Sequence, residues 1–440
     1  MYSTNIAPAD IHQFLEKHIL ADGLDFTLDL EKSNGCYLYD STNNREILDF
    51  FNFFSTAPLG HNHPALFKDE EFKKNLLTAA ISNPSNSDFY TTQYATFIET
   101  FARVAKPENF KYSFFISGGA LAVANALKVA MDWKVQKNMK KGLKEEKGHQ
   151  VIHFQQAFHG RSGYTLSITD TSDDKTRYFK KFDWPRILNP KITFPIEDHL
   201  DEVIKLEQKA VEQVKQAFAD NQDDICCIII EPVQSEGGDN HFRPEFFKEL
   251  RILADENEAM LIFDEVQTGV GLTRKFWGYE NYGVEPDLIA FGKKMQVCGI
   301  MSTARVDEIP ENCFHVNSRI NSTWGGSLTD MVRSTKFLEV IESDNLVENA
   351  SIQGNYLLSK LHQLAEKHSL TNVRGVGLLC AFDLPSTDIR NNVIDKALEK
   401  NLLLLGCGDQ SIRFRPPLIV SKDVIDEGMD ILHKTLQENL

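Results

Sequence analysis

The sequence predicts an α/β fold built around a mostly parallel sheet, because short apolar runs alternate with amphipathic stretches through the middle of the chain. Five runs have the length and apolar character of buried strands: Tyr112–Ile116, Val151–Phe154, Ile225–Ile230, Met260–Phe263 and Leu288–Phe291. Helical stretches of roughly 10 to 15 residues lie between several of these runs, as in chains of strand–helix–strand units. We therefore expect helices on both faces of the sheet.

Two of the predicted helices carry clear start signals. Leu121–Val135 begins just after the pair Gly118-Gly119, and Pro244–Glu258 begins with a proline, which suits the first turn of a helix. In both stretches the apolar residues recur with the spacing of a helix that packs one face against a sheet.

The pattern changes near residue 331, where helices and short strands predict a smaller α+β domain. The elements expected outside the large domain are Cys36–Tyr39, Ile47–Phe51, Thr329–Ser343, Leu378–Phe382 and Ile412–Phe414. We divide the chain into an N-terminal segment, 1–55, that packs with the small domain, a large domain, 56–330, and a C-terminal small domain, 331–440. Without a long linker, we expect a site where the domains meet.

Composition excludes several classes of protein. The 440 residues include 47 Lys and Arg against 63 Asp and Glu, a net charge of −16, which disfavours nucleic acid as a partner. Ile225–Ile230 is the strongest apolar stretch and is too short to span a membrane. Met1–Asp10 has no secretory signal, and the seven cysteines include no C-x-x-C pair, so we expect a cytoplasmic protein without disulfides or a metal site.

Common nucleotide and hydrolase motifs are missing or incomplete. Gly269-Val270-Gly271 begins like a dinucleotide-binding loop, but Arg274 stands where the third glycine would be. The six lysines of 134–147 predict a solvated helix end rather than a binding patch. His61 and His63 are expected to cap a loop.

A more coherent set of polar residues follows two of the predicted strands. Asp264 begins the run D-E-V-Q at the end of one strand, and Lys293 follows another. The ends of parallel strands are where α/β sheets build their sites. On a strand, Asp264 and Val266 point to one side and Glu265 to the other. An acid to hold a protonated pyridine nitrogen, an aliphatic side chain for the ring face and a lysine for a Schiff base together favour pyridoxal phosphate chemistry.

The segment 261–298 resembles the signature of the class III pyridoxal-phosphate-dependent aminotransferases. In that signature an aspartate-acid pair precedes Asp-x-x-x-x-Gly-Lys, which here is Asp287 to Lys293. The match selects Lys293 as the Schiff-base lysine and leaves Lys294 with a structural role. The resemblance implies a fold-type I transferase with a seven-stranded, mostly parallel sheet.

Within the family, the chain is most similar to the subgroup that acts on the ε-amine of L-lysine. The similar segments are GGALAVANALK (118–128), AFHGRSGYTLS (157–167), KKFDWPRI (180–187), GKKMQVCGI (292–300), SRINSTWGG (318–326) and SIRFRPP (411–417). The resemblance implies ping-pong transfer of that amine to 2-oxoglutarate, giving 2-aminoadipate 6-semialdehyde and L-glutamate, by a homodimer with shared active sites. Another ω-aminotransferase, using ornithine or 4-aminobutyrate, and a catalytically silent scaffold on this fold are the alternatives.

The same resemblance assigns roles around the cofactor. Gly119 and Ala120 match the phosphate-binding turn, Phe158 the aromatic that stacks on the ring, and Thr323 the residue that reaches the phosphate from the neighbouring subunit. Asp264 is expected to bond the ring nitrogen and Lys293 to move the proton. Val266 and Gln267 are expected against the ring face and the ring hydroxyl.

Substrate carboxylates need their own residues. Arg161 resembles the arginine that receives the distal carboxylate, and Arg415 the one that grips the α-carboxylate of glutamate. Glu236 resembles a switch that neutralises Arg415 while lysine is bound. Ser117 and Ala124 stand where the subgroup usually has acids. Their replacement bears on packing, cofactor affinity or the dimer surface, but it removes no residue that is assigned to proton transfer.

Overall fold

Fifteen strands form three sheets in the computed structural model, which describes residues 6–439. The beginning of the stretch Met1–Asp10, predicted to lack a secretory signal, therefore lies outside the described residues. The strands are β1 Leu28–Asn34, β2 Tyr37–Asp40, β3 Arg45–Asp49, β4 Phe110–Ile116, β5 Gln150–Phe154, β6 Arg186–Ile187, β7 Ile225–Ile230, β8 Met260–Asp264, β9 Leu288–Phe291, β10 Cys298–Thr303, β11 Thr371–Val376, β12 Leu379–Asp383, β13 Leu402–Leu403, β14 Leu405–Cys407 and β15 Ser411–Phe414.

The central sheet has seven strands in the order β4-β10-β9-β8-β7-β5-β6. The pairs β6–β5, β5–β7, β7–β8 and β8–β9 are parallel, whereas β10 is antiparallel to both neighbours. The predicted seven-stranded, mostly parallel sheet is therefore confirmed. Strand β10 was not predicted; it runs antiparallel because the short link from β9 cannot cross back over the sheet.

Helices cover the central sheet and pack around the two smaller sheets. They are α1 Ile11–Glu16, α2 Asn52–Ser55, α3 Pro64–Phe67, α4 Glu70–Ser82, α5 Thr92–Val104, α6 Gly119–Lys140, α7 Tyr164–Ile168, α8 Asp173–Thr176, α9 Ile196–Asp220, α10 Pro244–Glu256, α11 Leu328–Ser343, α12 Leu346–Ala365, α13 Thr387–Glu399 and α14 Lys422–Asn439. The helices expected at 121–135 and 244–258 are thus present as α6 and α10, with shifted ends.

Both faces of the central sheet are buried, which explains why its strands read as continuous apolar runs. Ile262 of β8 joins one core with α6, while Leu261 and Phe263 join a second core with α9 and α10. This double burial fixes the strand ends, and with them the side chains that follow.

The two smaller sheets are built from the ends of the chain. The first has the order β1-β2-β3-β13, and the parallel pair β3–β13 joins Leu48 to Leu402. The second, β11-β12-β15-β14, is antiparallel. The pairing of β3 with β13 supports an N-terminal segment that packs with the C-terminal part, and the boundaries at 55 and 330 stay predictions.

Two further features bear on the setting of the protein. None of the helices between residues 6 and 439 has the length and apolar character needed to cross a membrane. All seven cysteines are free thiols, and six of them are buried.

Candidate active site

A cavity of about 630 Å³ opens at the carboxyl ends of β8 and β9, where the sequence predicts the site. Most of the predicted cofactor residues line it, together with several that the sequence reasoning missed. Its lining consists of Thr56, Gly119, Ala120, Phe158, His159, Gly160, Glu231, Glu236, Asp264, Val266, Gln267, Lys293, Gln296, Cys298 and Arg333.

Lys293 and Lys294 are adjacent in sequence but differ in their surroundings. Lys293 lines the cavity from a left-handed backbone conformation, φ 49°. Burial, with Arg413 and Arg415 nearby, lowers the pKa of the Lys293 amine to about 8. Lys294 turns away and donates to the carbonyl oxygen of Gln267 at 2.6 Å. The structural role expected for Lys294 follows from this bond, and Lys293 is the lysine available for chemistry.

Asp264 is held at the cavity by two hydrogen bonds. His159 Nδ1 lies 2.8 Å from its Oδ2, and the backbone N–H of Val266 donates to its Oδ1 at 3.0 Å. Burial alone would lower the pKa of His159, but the Asp264 carboxylate raises it. Sequence reasoning assigned no role to His159, because its contact with Asp264 depends on tertiary packing.

Two other carboxyl groups near Asp264 have different roles. Glu231 follows β7 and accepts the backbone N–H groups of Phe158 at 2.9 Å and Ser235 at 3.2 Å; burial raises the pKa of its carboxyl to about 7. It was missed, although its place at the end of a parallel strand was a usable signal. Glu265 points to the other face, as predicted, and accepts the N–H of Tyr279 at 2.7 Å.

The first turn of α6 faces the cavity and is suited to bind an anion. Its first backbone N–H groups, at Gly119 and Ala120, have no partner within the helix, and the helix dipole adds positive potential there. Close packing requires the glycines at this turn. A Cβ on Gly119 would lie 3.1 Å from Val266 Cγ1, and one on Gly160 would lie 2.5 Å from Cβ of Ala120.

The predicted ion pair between Glu236 and Arg415 is wrong. Arg415 is bound by both carboxylate oxygens of Asp239, with Nη1 3.0 Å from Oδ2, and both side chains are fully buried. Glu236 Oε2 instead accepts from Arg413 Nη2 at 2.9 Å. Arg413 lies in β15 and Arg415 follows the strand two positions later, so the sequence spacing alone could not tell which one meets Glu236.

The remaining predicted residues lie outside the cavity lining. Arg161 is exposed. Thr323 is also exposed, and its carbonyl accepts the hydroxyl of Ser85. Ser117 is exposed and Ala124 is half-buried, and neither of these positions, where the subgroup usually has an acid, lines the cavity. Nothing in the single chain brings Arg161 or Thr323 to the reacting groups.

Comparison with known proteins shows the class. Residues 20–436 match the family Aminotransferase class-III, and the chain belongs to that family. Among its relatives, the L-lysine-epsilon aminotransferase of Mycobacterium tuberculosis is 48% identical over 98% of this chain and 96% of its own length. The enzyme of that name from Streptomyces clavuligerus is 46% identical, with 97% and 94% covered.

Solved structures and more distant relatives agree with this placement. The lysine aminotransferase structure from M. tuberculosis superposes with a TM-score of 0.97 at 47% identity, covering 99% of this chain and all of that one. The human mitochondrial 4-aminobutyrate aminotransferase is 31% identical over 91% of this chain and 82% of its own length.

Class III aminotransferases use pyridoxal 5′-phosphate, and the cavity fits that group. The first turn of α6 suits its phosphate, and Asp264 suits its ring nitrogen. Phe158 and Val266 offer apolar surface for the ring. Within residues 6–439, Gln267 Oε1 and His159 Nε2 are buried without a hydrogen-bond partner, as expected of a cavity built around a polar ligand.

Proposed function

We propose that this chain transfers the ε-amino group of L-lysine to 2-oxoglutarate by a ping-pong reaction, giving 2-aminoadipate 6-semialdehyde and L-glutamate. The observation that carries the chemistry is the Lys293 amine, with a pKa of about 8, in a cavity it shares with the His159-bonded Asp264. The similarity to lysine-epsilon aminotransferases over nearly the whole chain supports the choice of amine.

The cofactor, when bound, supplies a conjugated ring that delocalises the electrons left behind when the substrate carbon loses its proton. Lys293 would take that proton from Cε of lysine and return it on the far side of the transferred nitrogen, two atoms away. An amine with a pKa near 8 suits both steps, because it exchanges protons readily near neutral pH. Asp264 holds the proton on the ring nitrogen, and His159 keeps its carboxylate oriented.

Arg413 and Glu236 would separate the two substrates at the same cavity. While the ε-amine end of lysine reacts, Glu236 pairs with Arg413 and neutralises it. Glutamate and 2-oxoglutarate bring a carboxylate next to the reacting carbon, and this carboxylate would take the place of Glu236. Arg413 fits the role first given to Arg415, since its Nε and Nη1 are buried without partners within residues 6–439. Arg161 would receive the distal carboxylate at the cavity mouth.

The working unit would be a homodimer in which Thr323 reaches the phosphate of the neighbouring subunit. Exposed aromatic side chains support this, since Trp324 beside it is 49% exposed and Tyr90 is 84% exposed. Light scattering would measure the assembly, and mixing a Lys293→Ala subunit with a Thr323→Val subunit would test for shared sites. The free thiols favour a reducing compartment such as the cytoplasm.

A substrate panel tests the proposed amine. The purified holoenzyme is offered L-lysine, L-ornithine or 4-aminobutyrate with 2-oxoglutarate, and glutamate and the aldehyde products are quantified. We expect the highest kcat/KM with lysine, and no turnover of any amine by the Lys293→Ala control. A clear preference for ornithine or 4-aminobutyrate would favour another ω-aminotransferase, and a colourless protein without turnover would favour a silent scaffold.

A further inference from the structure

Glu236 is held between two cations rather than one. Its Oε2 accepts from Arg413 Nη2 at 2.9 Å, and its Oε1 accepts from Lys175 Nζ at 2.9 Å. The Arg413 side chain is 1% exposed, whereas the Lys175 side chain is 42% exposed. The two partners therefore approach from the protein interior and from the solvent side, respectively.

The carboxylate also stands between two cavities. Glu236 lines the cofactor cavity and a second, polar cavity of about 600 Å³, which Lys175, Ser172 and Asp409 also line. The backbone at this point is fixed, because the carbonyl of Glu236 accepts from Gly408 N–H at 2.9 Å. A side-chain rotation can therefore carry the carboxylate from one cavity toward the other without moving the chain.

Two other charged groups of the second cavity, Arg390 and Asp170, already have partners. Arg390 donates to the carbonyl oxygens of Cys407 and Ser411, and Asp170 is paired with Arg186 at 3.0 Å. Lys175 forms its ion pair with Glu236 itself, at 2.9 Å. In the second cavity, Lys175 is thus the cation that can keep the Glu236 carboxylate paired after this carboxylate has left Arg413.

We propose that Lys175 is a positioning residue that retains the Glu236 carboxylate whenever a substrate α-carboxylate occupies Arg413. This inference rests on the proposed function, in which glutamate and 2-oxoglutarate displace Glu236 and the ε-amine of lysine does not. Lys175 contacts Glu236 in both situations, but the contact matters more to a carboxylate that has lost Arg413 and has no other cation. Without Lys175, displacement of Glu236 would therefore become less favourable. Lys175 therefore favours the binding of glutamate and 2-oxoglutarate, which carry the α-carboxylate, and does not affect the binding of lysine through its ε-amine end.

Single-turnover half-reactions of the holoenzyme, followed by cofactor absorbance, test the inference. Dissociation constants for L-glutamate and L-lysine are measured for the wild type, Lys175→Gln and Lys175→Arg, with the exposed Lys209→Gln as the matched control. For Lys175→Gln we expect the glutamate constant to rise about fivefold, the scale of a partly exposed ion pair, with the lysine constant changed less than about twofold. Lys175→Arg should restore the wild-type ratio, and Lys209→Gln should leave it unchanged.

Two outcomes overturn the inference: an unchanged glutamate constant in Lys175→Gln, or equal rises for both amino acids, which would mean general damage to the cavity. Failure of the wild type to react with lysine would contradict the proposed function instead. In that event the glutamate constants of the wild type and the variants still decide the role of Lys175, because restoration by Lys175→Arg but not by Lys175→Gln separates loss of the cation from general damage to the cavity.

Discussion

His159 Nδ1 lies 2.8 Å from Asp264 Oδ2, and both residues are buried beneath the cofactor cavity. A buried carboxylate is stable only with partners, and Asp264 has this imidazole and the N–H of Val266. The pair gives the carboxylate a fixed direction at the place where the cofactor's ring nitrogen would bind. Four predictions follow from contacts in and around this site.

Removing the imidazole should impair turnover more than cofactor binding. We expect His159→Leu to lower kcat at least about tenfold, the scale of a hydrogen bond to a charged group, while the protein still binds pyridoxal phosphate. His159→Asn, which keeps a hydrogen-bond donor, should lower kcat by a smaller factor. Steady-state kinetics with absorbance of the bound cofactor measure both, and the exposed His149→Leu is the control. Wild-type kcat in His159→Leu would show that the pair is not needed.

The lowered pKa of Lys293 should appear in cofactor capture by the apoenzyme. Only the neutral amine attacks the aldehyde of pyridoxal phosphate, so the capture rate should rise with pH through the pKa of about 8 rather than through the ordinary value of 10.5. Stopped-flow absorbance from pH 6 to pH 10 would measure the midpoint. A midpoint near the ordinary value would mean that burial does not control this amine.

Asp239 should matter for stability, because it neutralises the fully buried Arg415. We expect Asp239→Asn to lower the free energy of unfolding by about 3–5 kcal/mol, since it leaves a buried charge unpaired. Urea denaturation measures this, and Asp174→Asn, which alters a largely exposed pair with Arg177, should change it by less than about 0.5 kcal/mol. Unchanged stability with weakened glutamate binding would instead return Arg415 to a role in substrate binding.

Gly292 should be required by packing against Cys298. A Cβ at position 292 would lie 2.7 Å from the Cys298 Sγ, so Gly292→Ala should displace the neighbouring Lys293 and cost about 1–3 kcal/mol of stability. Thermal unfolding and cofactor content would both fall. The double variant Gly292→Ala with Cys298→Ala removes the sulfur and should recover much of the loss. If the double variant does not recover stability, the contact with the Cys298 sulfur is not the cause of the loss.

Sequence alone predicted five of the seven strands of the central sheet, and the positions of Asp264 and Lys293 after two of them, because both depend on local patterns. Buried parallel strands read as apolar runs, and Asp264 and Lys293 follow two such runs directly. It missed His159, whose bond to Asp264 joins segments distant in sequence, and Glu231, whose position after β7 was overlooked.

The arginines show a different limit of sequence reasoning. Arg413, in β15, and Arg415, just after it, are two positions apart, and only the packing of Glu236 against the first and Asp239 against the second distinguishes them. The resemblance in sequence assigned a substrate role to Arg415 and none to Arg413, and it paired Glu236 with the wrong one of the two. Three-dimensional geometry was needed for that step.

The fate of each nitrogen of lysine tests the proposed reaction most directly. The holoenzyme is incubated with 2-oxoglutarate and either [ε-¹⁵N]lysine or [α-¹⁵N]lysine, and the glutamate formed is analysed by mass spectrometry. We expect ¹⁵N in glutamate from the ε-labelled substrate and none from the α-labelled one. Label arriving from the α-position, or glutamate that stays unlabelled with both substrates, would contradict transfer of the ε-amino group.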